Sequence, residues 1–275
     1  MALTELLTQW QENLAGWAIP AHITAAVPDS PWVLPRQVFA RRADRLSQAP
    51  AGPSYQRAWA ALDPPGSVLD VGAGAGAACL PLAPRTTALT AVDTDPGMLG
   101  LLAERARAAG LDPRLHVGPW PEVAAQAAAA DVVTCHNVLY NVPDLEPFLA
   151  ALTGHARRQV VIELTAAHPL TSLNPLWLRF HGLERPEGPT AGDVLAILDA
   201  MGLRAGHTDW NRPAEADYAT VRELAEVTRR RLCLPAERTA EVEAALRDTG
   251  LGGGQASDLG TAGRAVVTIW WEGSA

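Results

Sequence analysis

Apolar and polar positions follow two rhythms along this chain, and the change between them falls near residue 67. Before it, Leu3, Leu6, Leu7, Trp10, Leu14 and Trp17 return at helical spacing and predict an amphipathic helix over residues 3–17. Pro20, Pro28, Pro31 and Pro35 then cut the chain into short extended pieces, and helices are predicted again over 35–48 and 54–62. After it, short β-branched runs take over. Strands are predicted at 67–71, 88–93, 113–117, 131–135 and 159–164, with helices between them at 76–83, 96–109, 121–130 and 143–154. Thr190 and Asp193 form a capping pair that announces a helix over 191–201, and a strand at 203–210 follows. Helical stretches at 216–232 and 235–248, a Gly-Gly-Gly segment at 252–254 and an apolar strand over 265–271 close the chain.

Alternation of strand and helix predicts an α/β fold: a Rossmann-like, seven-stranded, mostly parallel sheet with helices on both faces. The expected organisation is a single domain. It divides into an N-terminal helical cap (1–60), a ligand-binding core (61–212), a helical insertion (213–260) and a final strand (261–275). The insertion reads as a lid or as a surface for a homodimer.

Composition narrows the picture. Of 275 residues, 48% are hydrophobic and 19% charged, the balance of a globular protein. All 22 basic residues are arginine, and the net charge of −8 argues against a nucleic-acid or anionic-membrane partner. Arg229, Arg230 and Arg231 form the densest basic run and are expected to be a solvated helix end. Cys79, Cys135 and Cys233 lie far apart in apolar settings, the pattern of reduced thiols in a cytoplasmic protein, with no metal pair. The N-terminus reads without a signal peptide, and no run reaches the ~18 apolar residues of a membrane span.

The chemistry concentrates where the first buried strand ends. Val68, Leu69, Asp70 and Val71 lead into Gly72, Gly74 and Gly76, an acidic-x-Gly-x-Gly-x-Gly turn that lets a ligand lie against bare backbone. Gly72, Gly74 and Ala77 also satisfy the looser dinucleotide spacing. Asp70 speaks against that reading, because its carboxylate would face a pyrophosphate. A second carboxylate, Asp93, closes the next strand, where it can accept hydrogen bonds from ribose hydroxyls, and Asp95-Pro96 opens the following helix as N-cap and N1.

With these residues the sequence resembles the class I S-adenosylmethionine-dependent methyltransferases from about Tyr55 to Glu163. The resemblance implies that S-adenosyl-L-methionine is the cofactor. Asp70, Gly72 and Gly74 would then surround its amino-acid end and Asp93 its ribose, with Thr94 among the cofactor-binding residues. Met98 would pack against adenine, and Tyr55 or Arg57 would reach its carboxylate. Where many relatives hold the adenine amine with an acidic residue, this chain has Gly118, Pro119 and Trp120. The segment from Asp131 to Leu145 resembles the family's strand end beside the transferable methyl, which makes His136, Asn137 and Tyr140 candidates to face cofactor and acceptor. The Pro-Pro-aromatic signature of base- and amide-methylating relatives does not follow Asn137.

A hydroxyl acceptor needs a base, and His136 and His168, both placed after strands, are the candidates. Trp177 and His181, together with Trp10, Trp17 and Trp32 of the cap, are candidates to line an acceptor pocket. The expected activity is methyl transfer to a small-molecule acceptor such as a specialised metabolite. An NAD(P)-dependent oxidoreductase using the same glycine turn, or a methyltransferase-like protein that binds the cofactor without catalysis, remains as the alternative.

Overall fold

The computed structural model describes residues 1–28, 30–32, 35–213, 218–248 and 264–275. The predicted Gly252–Gly254 segment lies outside the described residues. The strands are β1 (Gly66–Val71), β2 (Thr86–Asp93), β3 (Arg114–Val117), β4 (Ala130–His136), β5 (Ala156–Thr165), β6 (Gly206–Asn211) and β7 (Ala265–Glu272). They form one sheet in the order β3-β2-β1-β4-β5-β7-β6. The pairs from β3 across to β5 are parallel, and β7 runs antiparallel to both β5 and β6. This is the Rossmann-like, mostly parallel sheet the alternation predicted.

The helices are α1 (Leu3–Ala15), α2 (Ala21–Thr24), α3 (Arg36–Gln48), α4 (Pro53–Ala61), α5 (Pro96–Ala108), α6 (Leu145–His155), α7 (Asn174–His181), α8 (Ala191–Ala200), α9 (Val221–Arg231) and α10 (Thr239–Asp248). Successive strand residues point to opposite faces, so each buried strand feeds two cores. Leu69, Val133, Val160 and Ile162 face α1, α6 and α8 through Trp10, Leu149 and Val194. Val68, Leu89, Val132 and Val161 face α4 and α5 through Ala58, Leu99 and Leu102. A further apolar cluster joins α7, α9 and α10 with Ile23 and Val38, away from the sheet.

Two predicted helices are absent as such. Residues 76–83 give a turn and then a 3₁₀ segment, Leu80–Arg85, because Pro81 and Pro84 lack the amide hydrogens an α-helical ladder needs. The alanine-rich 121–130 stretch yields one 3₁₀ turn, Ala124–Gln126. There the Ala124 carbonyl accepts from the Ala127 N–H three residues on and also lies 3.0 Å from His155 Nε2. Burial of Val123, Ala124 and Ala127 outweighs alanine's helical preference in so short a segment. The arginine run is also corrected. Arg229 is buried in the α9–α10 cluster and donates to the Leu234 carbonyl, and burial lowers the pKa of Arg231.

Candidate active site

β1 leads outward to β2 and β3 on one side, while β4 and β5 lie on the other. The connections at such a switch point leave a crevice beyond the carboxyl ends of the strands. A cavity of about 820 Å³ opens there, within the size range of small-molecule and cofactor sites. Its floor is the glycine turn. Gly72 has φ +70°, and a Cβ there would lie 2.3 Å from Val138 Cγ2 on the loop after β4, so the approach of the two loops admits glycine alone.

Asp93 ties this turn to the next loop. Its Oδ2 accepts from the Gly74 N–H at 2.7 Å and its Oδ1 from the Asp95 N–H at 2.9 Å. Asp95 then caps α5 by accepting from the Gly97 N–H at 2.8 Å, and Arg36 of α3 grips its carboxylate with two bonds of 2.9 Å. Arg36 holds the Asp95 carboxyl below the usual range. Thus the cap helix α3 is pinned over the nucleoside end of the crevice by the residue that starts α5.

On the other side, Asn137 turns the chain after β4 with φ +60°, a conformation asparagine tolerates better than most, and donates its N–H to the Glu163 carbonyl at 2.7 Å. Glu163, beside His136 in the β4–β5 register, is the buried carboxylate of this end. Its side chain accepts from Ser54 at 2.6 Å and from Arg212, which follows β6. Burial alone would raise its pKa. Arg212 chiefly, with His136, Ser54 and Arg42, outweighs that and holds the carboxyl below its ordinary value.

The cavity gathers many of the predicted residues: Tyr55, Gly72, Gly74, Asp93, Thr94, Met98, Gly118, Pro119, Trp120, His136 and Asn137 all line it. Asp70 does not. It is buried behind the turn, where its Oδ1 accepts from Thr134 at 2.9 Å and burial raises its pKa. His168 also stands away from the cavity. Its ring stacks on Trp17 at 4.0 Å and meets the Tyr140 edge at 5.2 Å. Burial first, then Arg264, Arg185 and Arg231, push its pKa down to about 3, which leaves a poor proton acceptor.

Tyr140 is buried with its hydroxyl donating to the Thr165 carbonyl at 2.6 Å. Trp177 belongs to the α7–α9–α10 cluster, and His181 Nε2 lies 2.6 Å from the Leu232 carbonyl. Trp10 and Trp17 are core residues that donate to the carbonyls of Val142 and Gly188, so of the three cap tryptophans Trp32 alone lines the cavity. Arg57 lies over the Trp270 ring at 3.7 Å. Sequence reasoning missed the α3 side chains Arg36, Phe39, Arg42 and Arg45, as well as Ser54, Glu163, Trp210 and Arg212. The near three-residue spacing of the α3 set was a readable signal of one helical face.

Polar atoms here fit a ligand. Trp120 and His136 line the cavity and Asp70 lies behind it, and the buried Trp120 Nε1, His136 Nε2 and Asp70 Oδ2 have no hydrogen-bond partner among the described residues. An indole donor, an imidazole nitrogen and a buried carboxylate beside bare backbone suit a nucleoside joined to an amino acid.

Fold and crevice therefore define an α/β protein that binds a nucleoside-type cofactor at the carboxyl ends of its strands. Residues 68–159 match the profile of a family described as "Methyltransferase domain". Over those residues the chain carries a methyltransferase domain, and S-adenosyl-L-methionine is its cofactor. No curated protein is a significant match to the sequence. The fold resembles a cyclopropane-fatty-acyl-phospholipid synthase-like protein from Lactobacillus casei, with TM-score 0.54, 15% identity, and 95% and 99% of the two chains covered. It also resembles a protein proposed to be a sarcosine dimethylglycine methyltransferase from Galdieria sulphuraria, with TM-score 0.52, 16% identity, and 92% and 96% covered. A third similar structure is the YcgJ protein of Bacillus subtilis, with TM-score 0.50, 18% identity, and 86% and 99% covered.

Proposed function

We propose that this protein methylates a small-molecule acceptor, a specialised metabolite by preference, seated beyond the ends of β4 and β5. The observation that carries this reading is the continuity of one cavity from Gly72, Gly74 and Asp93 to His136, Glu163 and Arg212. A single continuous cavity lets cofactor and acceptor lie side by side, and its volume suits two small ligands better than a polymer.

In this reading Asp93 and Thr94 meet the ribose. Met98, Gly118, Pro119 and Trp120 surround the adenine, and Gly72, Gly74 and Tyr55 the amino-acid end. Asp70 acts from behind the turn, fixing it through Thr134. S-adenosylmethionine, when bound, supplies a methyl group on a sulfonium sulfur. The chain contributes alignment and a partly dry setting, which suit a displacement in which charge disappears. Asn137 and His136 stand at the acceptor side of the β4 end. His136 lines the cavity and its Nε2 is buried without a hydrogen-bond partner among the described residues, and it is our candidate to take a proton from a hydroxyl or ammonium acceptor.

Buried free thiols at Cys79, Cys135 and Cys233 fit a reducing, cytoplasmic setting. Among the described residues no helix is long and apolar enough to cross a membrane. Calorimetry with S-adenosylmethionine, S-adenosylhomocysteine and NAD tests the reading. The first two should bind, and Asp93→Ala should weaken both. Preferential binding of NAD would overturn it. Labelled methyl incorporation into small molecules of a cell extract then separates catalysis from mere cofactor binding.

A further inference from the structure

We infer that Asp70 is a positioning residue for His136. Its Oδ2, directly or through one water, accepts the proton on His136 Nε2 and so leaves the lone pair of the ring on Nδ1. This rests on the reading of His136 as proton acceptor and names the group that orients it.

The sheet brings the two side chains together. Thr134 is the β4 partner of Asp70 and donates its hydroxyl to Asp70 Oδ1 at 2.9 Å. Strand side chains alternate between faces, so His136, two residues beyond Thr134, emerges on the face that holds Thr134 and Asp70. Strand spacing and rise put such diagonal neighbours roughly 8 Å apart at Cα. Aspartate and histidine side chains reaching toward each other can bridge that gap. The His136 charge is felt at Asp70, where with the Cys79 thiol and Thr134 it opposes the rise in pKa that burial causes.

A second carboxylate stands beside His136. Glu163 is its direct partner on β5, but both of its oxygens are taken. Oε2 accepts from Ser54 at 2.6 Å and Oε1 from Arg212. Asp70 differs, because only Oδ1 is used. Its Oδ2 is buried with no hydrogen-bond partner among the described residues, and so is His136 Nε2. A buried acceptor and a buried potential donor are each costly alone. One proton, carried on Nε2 and offered to Oδ2, satisfies both. The Cys79 thiol beside Asp70 is a weak donor and does not replace it.

Which nitrogen carries the proton decides what His136 can do. With Nε2–H held by Asp70, Nδ1 is the basic nitrogen. A hydroxyl or ammonium acceptor in the cavity then gives its proton to Nδ1, and the bonding pair stays on its own oxygen or nitrogen. The ring becomes an imidazolium beside Asp70 and Glu163, both of which feel its charge, and later returns the proton to solvent. A carboxylate just before the glycine turn that does not line the cavity thereby has a role in the chemistry.

The test uses the full-length protein, ¹⁵N-labelled in its histidines and saturated with S-adenosylhomocysteine. Long-range ¹H–¹⁵N spectra at about pH 9 show which nitrogen of each neutral ring is protonated, and His136→Gln assigns the His136 signals. In the unmodified protein the proton should sit on Nε2 and be shielded from solvent exchange. In Asp70→Asn, Thr134 keeps the side-chain oxygen, so the amide turns a donor toward Nε2. The ratio of Nε2–H to Nδ1–H forms should then fall roughly tenfold or more, the worth of a hydrogen bond to a charged group. Glu163→Gln should leave the ratio as it is. A proton on Nδ1 in the unmodified protein overturns the proposal, whether or not the variants fold. So does an unchanged ratio in Asp70→Asn, and if S-adenosylhomocysteine binding weakens there, Asp70 serves the cofactor instead. An equal fall in Glu163→Gln passes the role to Glu163 and overturns it too. No acceptor is needed, so these outcomes stand apart from the loss of rate in His136→Ala that tests the base itself.

Discussion

Replacing Glu163 by alanine removes one half of an ion pair whose side chains are 14% and 12% exposed, and it leaves the Arg212 guanidinium in place. Breaking a buried pair from one side costs about 3–5 kcal/mol, because the surviving charge keeps its desolvation penalty without its partner. Ser54 adds little to that loss, since its hydroxyl keeps Thr268 Oγ1 as a neighbour at 2.6 Å. Arg212 can turn partly toward water at the cavity, so the lower half of the range is expected, about 3 kcal/mol. For a chain of this size that is a fall of roughly 6–12 °C in Tm.

Urea denaturation followed by circular dichroism at pH 7.5 measures it, with an unchanged m-value showing that the same transition is followed. The double variant Glu163→Ala/Arg212→Met should recover much of the loss, because no buried charge is then left alone. The sign with pH follows from the depressed carboxyl. The pair's contribution is fully present above the unfolded carboxyl's 4.5 and is lost as pH falls from there through the folded value. The gap between wild type and Glu163→Ala should therefore narrow in acid. A loss below ~1 kcal/mol at pH 7.5, or a double variant no better than the single, would refute the reasoning.

Asp93→Ala should weaken S-adenosylhomocysteine binding roughly 10–100-fold in calorimetry, the worth of hydrogen bonds to a charged group, because it removes the proposed ribose contact and the tie to Gly74. Gly72→Ala places a side chain at φ +70° against Val138, and should cost about 1–2 kcal/mol in urea stability from the backbone alone while also weakening the cofactor. His168, with its folded pKa pushed down to about 3, binds a proton more readily unfolded, so its stabilising contribution is present above the ordinary 6.5 and falls as pH drops below it. Roughly 2 kcal/mol should be lost from this group between pH 6.5 and 5, and His168→Phe should flatten that slope. If His136 is the base, His136→Ala should lower kcat for a hydroxyl acceptor by about 10²–10⁴ with S-adenosylhomocysteine affinity nearly unchanged.

The glycine-turn side of the crevice was legible because its signals are local. A glycine turn after a buried strand, a carboxylate at the next strand end and an Asp-Pro helix start are set by backbone geometry within a few residues. Asp93, Gly72 and the Asp95 cap stand where the pattern put them. The two helices that failed, 76–83 and 121–130, failed where prolines or burial of a short segment overrode local preference.

Histidines and aromatics chosen for their types fared worse. His168, Trp177 and His181 share their residue types with His136 and Trp120, but burial in separate clusters, and the position of His181 beside a carbonyl, remove them from the crevice. The sequence alone determined the parallel sheet and the glycine turn, and through its resemblance the nucleoside cofactor, since continuous apolar strands and positive-φ glycines are written residue by residue. Tertiary structure alone decided which distant residues share the cavity, by bringing Arg42 and Arg45 of α3, Ser54 of α4, Glu163 of β5 and Arg212 after β6 to its lining. The contacts of Glu163 with Ser54 and Arg212 span 109 and 49 residues, and no local pattern encodes a neighbour that only chain crossover supplies.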